Sequence, residues 1–499
     1  MQPPIVLDGS SLTLDHVVAV ARRFAPVAVS AEAAARLARA RMRIEEAIAG
    51  GAVIYGVNTG FGKLATVRVP PDQLLALQRN LILSHAAGVG DPLPEDVVRA
   101  TMLLRANVLL RETSAVRPVI AERLVALLNG GIHPVVPEQG SVGACGDLAP
   151  LSHIALALLG EGEVTVGSTR MPAREALAQA GIPPLVLQAK EGISFVNGTQ
   201  AQTAVLALVV QDARQLWRAA HGAAAMSLEA LRGTPDAFDE RIHAARPHRG
   251  QVASAALLRE LLADSEIRES HRVNDPRVQD AYSLRCTPQV LGPVFEAIEY
   301  AAGVAEVELN ASTDNPLVFG GDILSGGNFH GQPVALVLDV LAIALTTLAG
   351  IAERRIERLV NPDLSQGLPA FLAPEPGVQS GYMMVQVTAA ALVGECRTLC
   401  TAASVQSIPT DANQEDVVPM GMAAAFKVRR VLANARRVVA AELLCAAQGV
   451  ELLRPLRAGR GVVPLVARVR KLVPPLVGDR PVTPDLEALT TLLATEALL

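Results

Sequence analysis

The sequence is poor in aromatic residues and has no block of basic residues. Phenylalanine, tyrosine and tryptophan together make up 3% of the 499 residues, whereas apolar residues of all kinds make up 50%. Aromatic residues favour strands, so their scarcity beside abundant alanine, leucine, arginine and glutamate predicts a mostly α-helical protein. The net charge of −5 is small for this length, and no run of lysine and arginine stands out. We therefore expect no nucleic-acid partner.

Cysteine is also scarce, and its number is odd. The five cysteines are Cys145, Cys286, Cys396, Cys400 and Cys445. The first residues show no basic region followed by a full-length apolar run, so no secretory leader is predicted. These features favour a reducing, cytoplasmic location. Cys396 and Cys400 stand one helical turn apart, but no second ligand pair has zinc spacing, and packing is the favoured interpretation.

One apolar run, residues 334–352, is long enough to span a bilayer. Asp339 interrupts this run, and the helical pattern continues into Glu353, Arg354 and Arg355. An internal charge and an amphipathic continuation are typical of the central helix of a soluble bundle. We therefore expect no membrane span.

Helix signals divide the chain into two parts. In the first part Ser30 is the expected cap of a helix that ends at Gly50 and Gly51. Further helices are predicted over 94–110 and 121–128, and short strands over 162–167 and 184–187. From Asn197 onward the predicted helices are long, covering 198–217, 288–309, 331–360 and 379–400. We therefore predict an all-α fold with a smaller N-terminal domain, residues 1–196, and an elongated C-terminal bundle of long helices, residues 197–499.

The most unusual segment is "GSVGACGDLAP", residues 140–150. Its glycines permit tight turns and positive φ angles. Pro150 begins an apolar helical pattern that stops at Gly160. Between Ala144 and Gly146 stands Cys145, a nucleophilic side chain in a flexible loop at the start of a buried helix. A turn with a buried cysteine is the structural explanation, and a reactive loop is the chemical one.

Polar residues gather in four loops, at 55–62, 140–147, 279–289 and 413–416. Loops on a rigid scaffold are where functional residues concentrate. The stretch "GVNTGFGK" is not a phosphate-binding loop, because Val57 stands where that motif needs glycine and Leu64 follows Lys63. Tyr55, Arg285 or Glu415 alone has an ordinary structural explanation, and only their combination indicates a site.

Taken together, eight motifs between about Tyr55 and Met422 resemble the histidine and aromatic amino-acid ammonia-lyases. The motifs are "YGVNTGFG", "LSHAAGVGDPL", "GSVGACGDLAPLSH", "NGTQ", "RIHAARPHRGQ", "VQDAYSLRCTPQVLG", "GNFHGQPVA" and "ANQED". This family belongs to the aspartase/fumarase-like superfamily and carries a self-made 4-methylidene-imidazol-5-one (MIO) prosthetic group. The resemblance implies a homotetramer with active sites shared between subunits, a small amino acid substrate, and neither a metal nor a dissociable cofactor.

The resemblance assigns a function to the tripeptide Ala144–Cys145–Gly146. In the family, the backbone nitrogen of the third residue attacks the carbonyl carbon of the first, and the middle side chain is eliminated to leave a methylidene. Here the nitrogen of Gly146 would attack the carbonyl of Ala144, and Cys145 would lose its sulfur. The family usually has serine in the middle, but a thiol is a chemically competent, activatable alternative.

The resemblance also implies roles for residues outside the tripeptide. Tyr55 would be the base that removes the substrate Cβ proton, which requires a pKa well below about 10. Arg285 would bind the substrate carboxylate through a bidentate fork. Asn197 and Tyr282 would hydrogen-bond near the carboxylate and the prosthetic group, with Gln279 and Gln289 in support. Phe329 would pack by the substrate or the ring, Asn328 and Gln332 would hold its loop, and Gly62 would support the site.

Two positions favour histidine as the substrate and trans-urocanate as the product. His85 in "SHAAG" and Glu415 in "NQED" follow the pattern of the histidine enzymes, in which the carboxylate meets the substrate imidazole. A buried carboxylate needs such a partner. The implied enzyme is a carbon–nitrogen lyase of histidine catabolism.

Several departures leave alternatives open. Val417, Val418 and Pro419 are closer to the aromatic enzymes, and Ala281 and Thr287 replace the usual proline and glutamine. One alternative is a lyase or a 2,3-aminomutase acting on another amino acid. Another is a non-catalytic paralogue that keeps its cysteine unmodified.

Overall fold

The computed structural model describes residues 3–499, which form two compact units. The first unit contains the chain up to Leu208 together with Ala301–Asp339 and Ala402–Phe426, and the second contains Val209–Tyr300, Val340–Thr401 and Lys427–Leu499. The sequence pattern places a single boundary between residues 196 and 197. In the structure, Ala301–Asp339 and Ala402–Phe426 also belong to the first unit, because their loops hydrogen-bond to the segment around residues 140–147.

Both units are mostly helical, as predicted. Over residues 3–499 the helices, in chain order, are α1 (Leu14–Arg23), α2 (Ala31–Ala49), α3 (Leu74–His85), α4 (Glu95–Leu109), α5 (Val119–Asn129), α6 (Leu148–Leu158), α7 (Ala173–Gln179), α8 (Glu191–Val196), α9 (Gln200–Ala230), α10 (Glu240–Ala244), α11 (Arg249–Leu261), α12 (Glu266–Glu269), α13 (Tyr282–Arg285), α14 (Thr287–Glu308), α15 (Gln332–Val360), α16 (Met383–Leu399), α17 (Gly421–Glu451), α18 (Val462–Arg470) and α19 (Thr483–Thr495). Short 3₁₀ turns cover Gly62–Leu64, Pro71–Gln73, Glu112–Ser114, Pro235–Phe238, Ala370–Leu372 and Asp411–Asn413.

The strands of the described chain are short, and all of them belong to the first unit. They are β1 (Ile5–Leu7), β2 (Val27–Val29), β3 (Val89–Pro92), β4 (Ile132–Pro134), β5 (Pro137–Gln139), β6 (Glu163–Val166), β7 (Thr169–Pro172), β8 (Leu317–Phe319) and β9 (Asp322–Leu324). β1 and β2 pair in parallel, and β3–β5, β4–β6–β7 and β8–β9 are antiparallel.

Local signals account for the helix α2. The Ser30 hydroxyl accepts a hydrogen bond from the Ala33 amide and satisfies one of the free amides of the first turn. Its buried positions include Leu37 and Ile44, which are two helical turns apart and share one face. The helix ends before Gly50, as the sequence predicts.

The other predicted elements are confirmed with one exception. The helices expected over 94–110 and 121–128 correspond to α4 and α5, and β6 lies within 162–167. The strand expected over 184–187 is wrong: these residues have an irregular backbone. Pro183 and Pro184 supply no amide hydrogen, so the segment cannot continue a ladder, and one bond from the Leu185 amide to the Leu158 carbonyl remains.

The long predicted helices are α9, α14, α15 and α16. The predicted end of α9 at residue 217 is too early, because the helix continues to Ala230. Gly222 does not break it, since the following residues are strong helix formers such as alanine, methionine and leucine. The predicted start of the last long helix at residue 379 is also early, since α16 begins at Met383.

The apolar helix α15 is the one described helix that is long and apolar enough to cross a membrane, and 67% of its most apolar window is buried inside the structure. Asp339 is buried and accepts a hydrogen bond of 2.8 Å from the Ser404 amide. Further along, Arg355 is fully buried and donates to both carboxylate oxygens of Glu442, at 2.5 and 2.8 Å. The charges that interrupt the apolar pattern are therefore paired inside the protein, as expected for a core helix.

Candidate active site

A pocket of about 540 Å³ in the first unit brings together seven of the residues singled out from the sequence. Those seven are Tyr55, Gly62, Ala144, Cys145, Asn197, Phe329 and Glu415. The remaining lining residues are Ala65, Asn315, Ser325, His330, Asp411, Gln414, Asp416 and Val417. Residues more than 350 positions apart in the chain thus share one cavity.

The tripeptide lies in a loop that later segments of the chain hold in place. The Gly331 amide donates to the Gly143 carbonyl at 3.0 Å, and the Met420 amide donates to the Val142 carbonyl at 2.8 Å. After the loop, α6 begins at Leu148. The loop therefore has backbone contacts to the start of α15 and to the segment before α17.

The turn Asn197–Gly198 supports the tripeptide from its other side. Asn197 Nδ2 donates to the carbonyl oxygen of Cys145 at 2.7 Å, and the Asp147 amide donates to the carbonyl of Gly198 at 2.7 Å. Gly146 has φ of +80°, and a Cβ there would lie 2.3 Å from backbone atoms of Gly198. Both the positive φ and the close approach require glycine at position 146.

A buried arginine lies behind this turn. Arg105 on α4 is inaccessible to solvent, and its guanidinium donates to the Asn197 carbonyl at 3.2 Å and to the Ser194 carbonyl and the Gln200 side chain. Burial lowers the pKa of Arg105 to about 10. The group remains charged at neutral pH and binds three acceptors of the segment that carries Asn197.

Asp147, the residue after the tripeptide, is fully buried. Its carboxylate accepts hydrogen bonds from the Ser141 hydroxyl at 3.0 Å and from the Gln202 amide at 2.9 Å. Burial raises the pKa of Asp147 to about 6, although these donors act in the opposite direction. The side chain connects the loop before the tripeptide to the first turn of α9.

The thiol of Cys145 is held in its protonated form. Burial raises its pKa, and a hydrogen bond to Glu415 and the negative charges of Glu415 and Asp411 raise it further. The expectation of an activatable thiol is therefore wrong for this environment, because an activated cysteine has a lowered pKa. A protonated thiol suits departure as hydrosulfide, whereas a thiolate would have to leave as a doubly charged sulfide.

Tyr55 is half-buried, and its phenol oxygen accepts a hydrogen bond from the Gly62 amide at 3.0 Å. Burial raises the pKa of Tyr55, the Gly62 amide opposes this rise, and the nearby ionisable side chains of Cys145, Asp411 and Glu415 add to it. The expected lowering of this pKa is therefore wrong for the chain by itself. The Gly62 amide is the one group among these that favours the phenolate.

Glu415 is held by a narrow turn. The Thr410 amide donates to the Glu415 carbonyl at 3.0 Å, the Glu415 amide donates back at 3.3 Å, and the Thr410 hydroxyl donates to the carboxylate. These bonds place one carboxylate oxygen against Thr410. Thr410 leaves the other oxygen free, and Glu415 also hydrogen-bonds to the Cys145 thiol.

His85 is the last residue of α3 and does not belong to the pocket lining. Its Nδ1 lies 2.9 Å from the Leu81 carbonyl, which only accepts, so Nδ1 carries the proton in the neutral ring. Burial lowers the pKa of His85, against the raising effect of the Asp411 and Glu415 charges. The neutral ring therefore presents Nε2 as an acceptor.

Around Phe329, the supporting residues face neighbouring loops. Asn328 is exposed and donates to the Ser312 carbonyl at 3.1 Å. Gln332 donates to the Ser404 carbonyl at 3.3 Å. Neither lines the pocket, so both hold the loop that carries Phe329.

Four residues expected at the site belong to the second unit and are not part of the lining: Gln279, Tyr282, Arg285 and Gln289. Tyr282 is 71% exposed. Arg285 donates to Gln279. The side-chain oxygen Oε1 of Gln289 is buried without a hydrogen-bond partner among the described residues.

Sequence reasoning missed several lining residues, and Asp411 is the most informative of them. It precedes Glu415 by four positions in "PTDANQED", and the motif "ANQED" covers only the last five of these residues. A signal was present, since a carboxylate stands close to a candidate site residue in the chain. Aspartate is common in exposed loops, so that signal was weak.

The pocket thus brings a glycine-rich loop at the start of a helix together with a tyrosine and a glutamate. The chain matches the family model described as aromatic amino acid lyase over residues 12–471. The chain belongs to this family, and it is a carbon–nitrogen lyase by that relationship.

Individual relatives agree with the family. The chain is 53% identical to histidine ammonia-lyase from Koribacter versatilis over 99% of this chain and 98% of the relative. It is 52% identical to histidine ammonia-lyase from Geobacillus thermodenitrificans, again over 99% and 98%. Among solved structures, histidine ammonia-lyase from Trypanosoma cruzi is 43% identical with a TM-score of 0.92, covering 99% of this chain and 94% of that one. Tyrosine aminomutase from Streptomyces globisporus is 40% identical with a TM-score of 0.94, covering 99% and 97%.

Proposed function

We propose that this protein eliminates ammonia from L-histidine to give trans-urocanate. The observation that carries the proposal is the pocket in which Ala144 and Cys145 face Tyr55 and Glu415. The chain that builds it is 53% identical over nearly its full length to a histidine ammonia-lyase. The reaction removes a proton from Cβ of histidine and breaks the bond between Cα and nitrogen.

The tripeptide fits the formation of MIO. Gly146 has the positive φ and the close contact with Gly198 that exclude any larger residue, and Cys145 carries an eliminable side chain at the pocket wall. Closing the ring joins the Gly146 nitrogen to the Ala144 carbonyl carbon with loss of water, and forming the methylidene removes hydrogen sulfide from Cys145. The group supplies an electrophile that turns the amine of the substrate into a better leaving group.

Two pocket residues act directly on histidine in this proposal. Tyr55 takes the Cβ proton on its phenol oxygen, after the Gly62 amide has helped to stabilise the phenolate. Glu415 accepts a hydrogen bond from the substrate imidazole with the oxygen that Thr410 leaves free. This contact discriminates imidazole from a phenyl ring, because a phenyl ring would leave the carboxylate unpaired.

The proposed active enzyme is a homotetramer. Arg285 and Tyr282 are expected to act on the substrate, yet neither lines the pocket of the first unit. A neighbouring subunit that brings these residues to the pocket would complete the site, with Arg285 on the substrate carboxylate. The large exposed fraction of Tyr282 supports this arrangement, since a tyrosine of an interface is uncovered in the single chain. We also propose a cytoplasmic location, which suits five free thiols.

The test is turnover of L-histidine by the purified protein, with urocanate followed by its ultraviolet absorbance and ammonia measured independently. Equal amounts of both products support the proposal. Phenylalanine and tyrosine are tested at the same concentrations. A higher kcat/KM for either of them would overturn the assignment of histidine.

A second candidate is an aminomutase or a lyase for another amino acid. Val417 favours it, because this apolar residue lines the pocket next to Glu415 and Asp416. The similarity to a tyrosine aminomutase is of the same order as that to a solved histidine ammonia-lyase. Chromatography of the products separates the two reactions, since a mutase gives a β-amino acid and a lyase gives free ammonia.

A non-catalytic paralogue is the remaining alternative, and the intact mass distinguishes it. Maturation of the cysteine-containing tripeptide removes water and hydrogen sulfide, about 52 Da in total. A chain with an unchanged mass carries no prosthetic group.

A further inference from the structure

Two consecutive backbone amides connect Tyr55 to a residue far away in the chain. In the turn Gly62–Leu64, the Gly62 amide donates to the Tyr55 phenol oxygen at 3.0 Å. The next amide, that of Lys63, donates to the carboxylate of Asp411 at 3.2 and 3.5 Å. The turn is therefore bound on one side to the candidate base and on the other to Asp411.

The contact between Asp411 and the turn is tight. A Cβ on Gly62 would lie 1.9 Å from Asp411 Oδ2, and Gly62 has φ of +52°. The turn thus needs glycine for its backbone conformation and for the approach of the carboxylate. Gly62, Asp411 and Tyr55 all line the same pocket.

The backbone around Asp411 has an unfavourable conformation that neighbouring contacts hold in place. Asp411, Ala412 and Asn413 have φ of +48°, +50° and +68°, so three successive non-glycine residues are left-handed. Such conformations cost free energy and persist only where the surrounding contacts hold them. The bonds from the Lys63 amide and between Thr410 and Glu415 enclose these three residues.

We propose that Asp411 is a positioning residue for Tyr55: its carboxylate holds the Gly62–Leu64 turn so that the Gly62 amide points at the phenol oxygen. The proposal rests on the assignment of Tyr55 as the base. Asp411 does not touch the substrate in this role. Its effect reaches the reaction through one backbone amide.

Asp411 also has an electrostatic effect on Tyr55. The ionisable groups around the phenol are Cys145, Asp411 and Glu415, with His85 near the two carboxylates and the Lys63 side chain on the turn itself. The negative charge of Asp411 raises the pKa of Tyr55. The amide that Asp411 positions lowers the pKa of Tyr55, whereas the charge of Asp411 raises it. Variants that remove one effect or both separate them.

The experiment compares Asp411→Asn with Asp411→Ala. Asparagine keeps an oxygen that accepts from the Lys63 amide and removes the charge, so the acid limb of kcat/KM should move to lower pH while kcat is largely kept. Alanine removes both the acceptor oxygen and the charge, so the Gly62–Leu64 turn is no longer bound to residue 411. The kcat should then fall about tenfold or more, as for a lost hydrogen bond to a charged group. Asp416→Asn is the matched control, because Asp416 lines the same pocket but makes neither bond to the turn.

A direct titration makes the test independent of turnover. The chain has four tyrosines, so fluorotyrosine labelling gives four ¹⁹F signals, and Tyr55→Phe identifies the one from Tyr55. The pKa of Tyr55 should fall in Asp411→Asn and stay near the wild-type value in Asp416→Asn. Asp411→Ala lacks both the charge and the bond to the turn, so the pKa of Tyr55 should be higher in Asp411→Ala than in Asp411→Asn. Wild-type kcat in Asp411→Ala, or equal pKa values of Tyr55 in the two Asp411 variants, overturns the proposal. If histidine is not a substrate at all, the proposed function fails, and the titration still decides the role of Asp411.

Discussion

Asn197 Nδ2 donates a 2.7 Å hydrogen bond to the carbonyl oxygen of Cys145. This oxygen belongs to the middle residue of the tripeptide and is not lost when the Gly146 nitrogen closes on Ala144. Asn197 therefore holds the loop before and after ring closure.

The first prediction concerns the leaving group. Cys145→Ser should mature by losing two waters and should have nearly the wild-type kcat after correction for the matured fraction, because both chains end in the same group. Intact mass and near-ultraviolet absorbance measure maturation. Cys145→Ala has nothing to eliminate, so it should keep its helices and lose the absorbance. Wild-type activity in Cys145→Ala would disprove the electrophile mechanism for this protein.

The second prediction concerns Gly146. Gly146→Ala should block maturation, because its Cβ would lie 2.3 Å from the backbone of Gly198. Gly181→Ala is the matched control: φ is +66° there, but no atom lies within 4 Å of the new Cβ. The free energy of unfolding of the control should fall by about 1–2 kcal/mol, because alanine must adopt a left-handed conformation there. Its intact mass should show full maturation. Full maturation of Gly146→Ala would show that this contact is not required.

The third prediction concerns the base. Tyr55→Phe should mature normally and lose about 10²–10⁴-fold in kcat, as expected for the loss of general base catalysis. Because burial raises the pKa of Tyr55, the wild-type kcat/KM should increase with pH until the phenol is ionised. In Tyr55→Phe, kcat/KM should not show this increase with pH. A matured Tyr55→Phe enzyme with the wild-type pH profile would exclude Tyr55 as the base.

The fourth prediction concerns specificity. Glu415→Gln should reduce kcat/KM for histidine far more than any side activity with phenylalanine or tyrosine, because imidazole has a ring N–H that donates to the carboxylate and neither aromatic ring has one. Since Glu415 also hydrogen-bonds to the Cys145 thiol, the matured fraction has to be measured by intact mass in the same preparation. Equal losses on all three substrates in fully matured protein would assign Glu415 a general role and favour the aromatic candidate.

Much of the helical structure follows from the sequence. The cap at Ser30 and the apolar spacing of α2, α4 and α15 act within a few turns, so the chain pattern contains the information. The strand expected over 184–187 does not form: Pro183 and Pro184 at its start supply no amide hydrogen for a ladder. The predicted end of α9 at residue 217 is early because the helix continues to Ala230.

The sequence by itself determined that the chain is helical, since composition and periodicity are local properties. The motifs that it shares with the ammonia-lyases, rather than composition, indicated that Ala144–Cys145–Gly146 and Tyr55 belong to a site. Only the tertiary structure decided which of them share a pocket and what their surroundings do. It raised the pKa values of Cys145 and Tyr55 through burial and nearby carboxylates, where the sequence suggested activation. It also brought Asp411 to the turn beside Tyr55, across 348 residues of chain. Contacts at such a separation depend on how helices and loops pack, and no short stretch of sequence contains them.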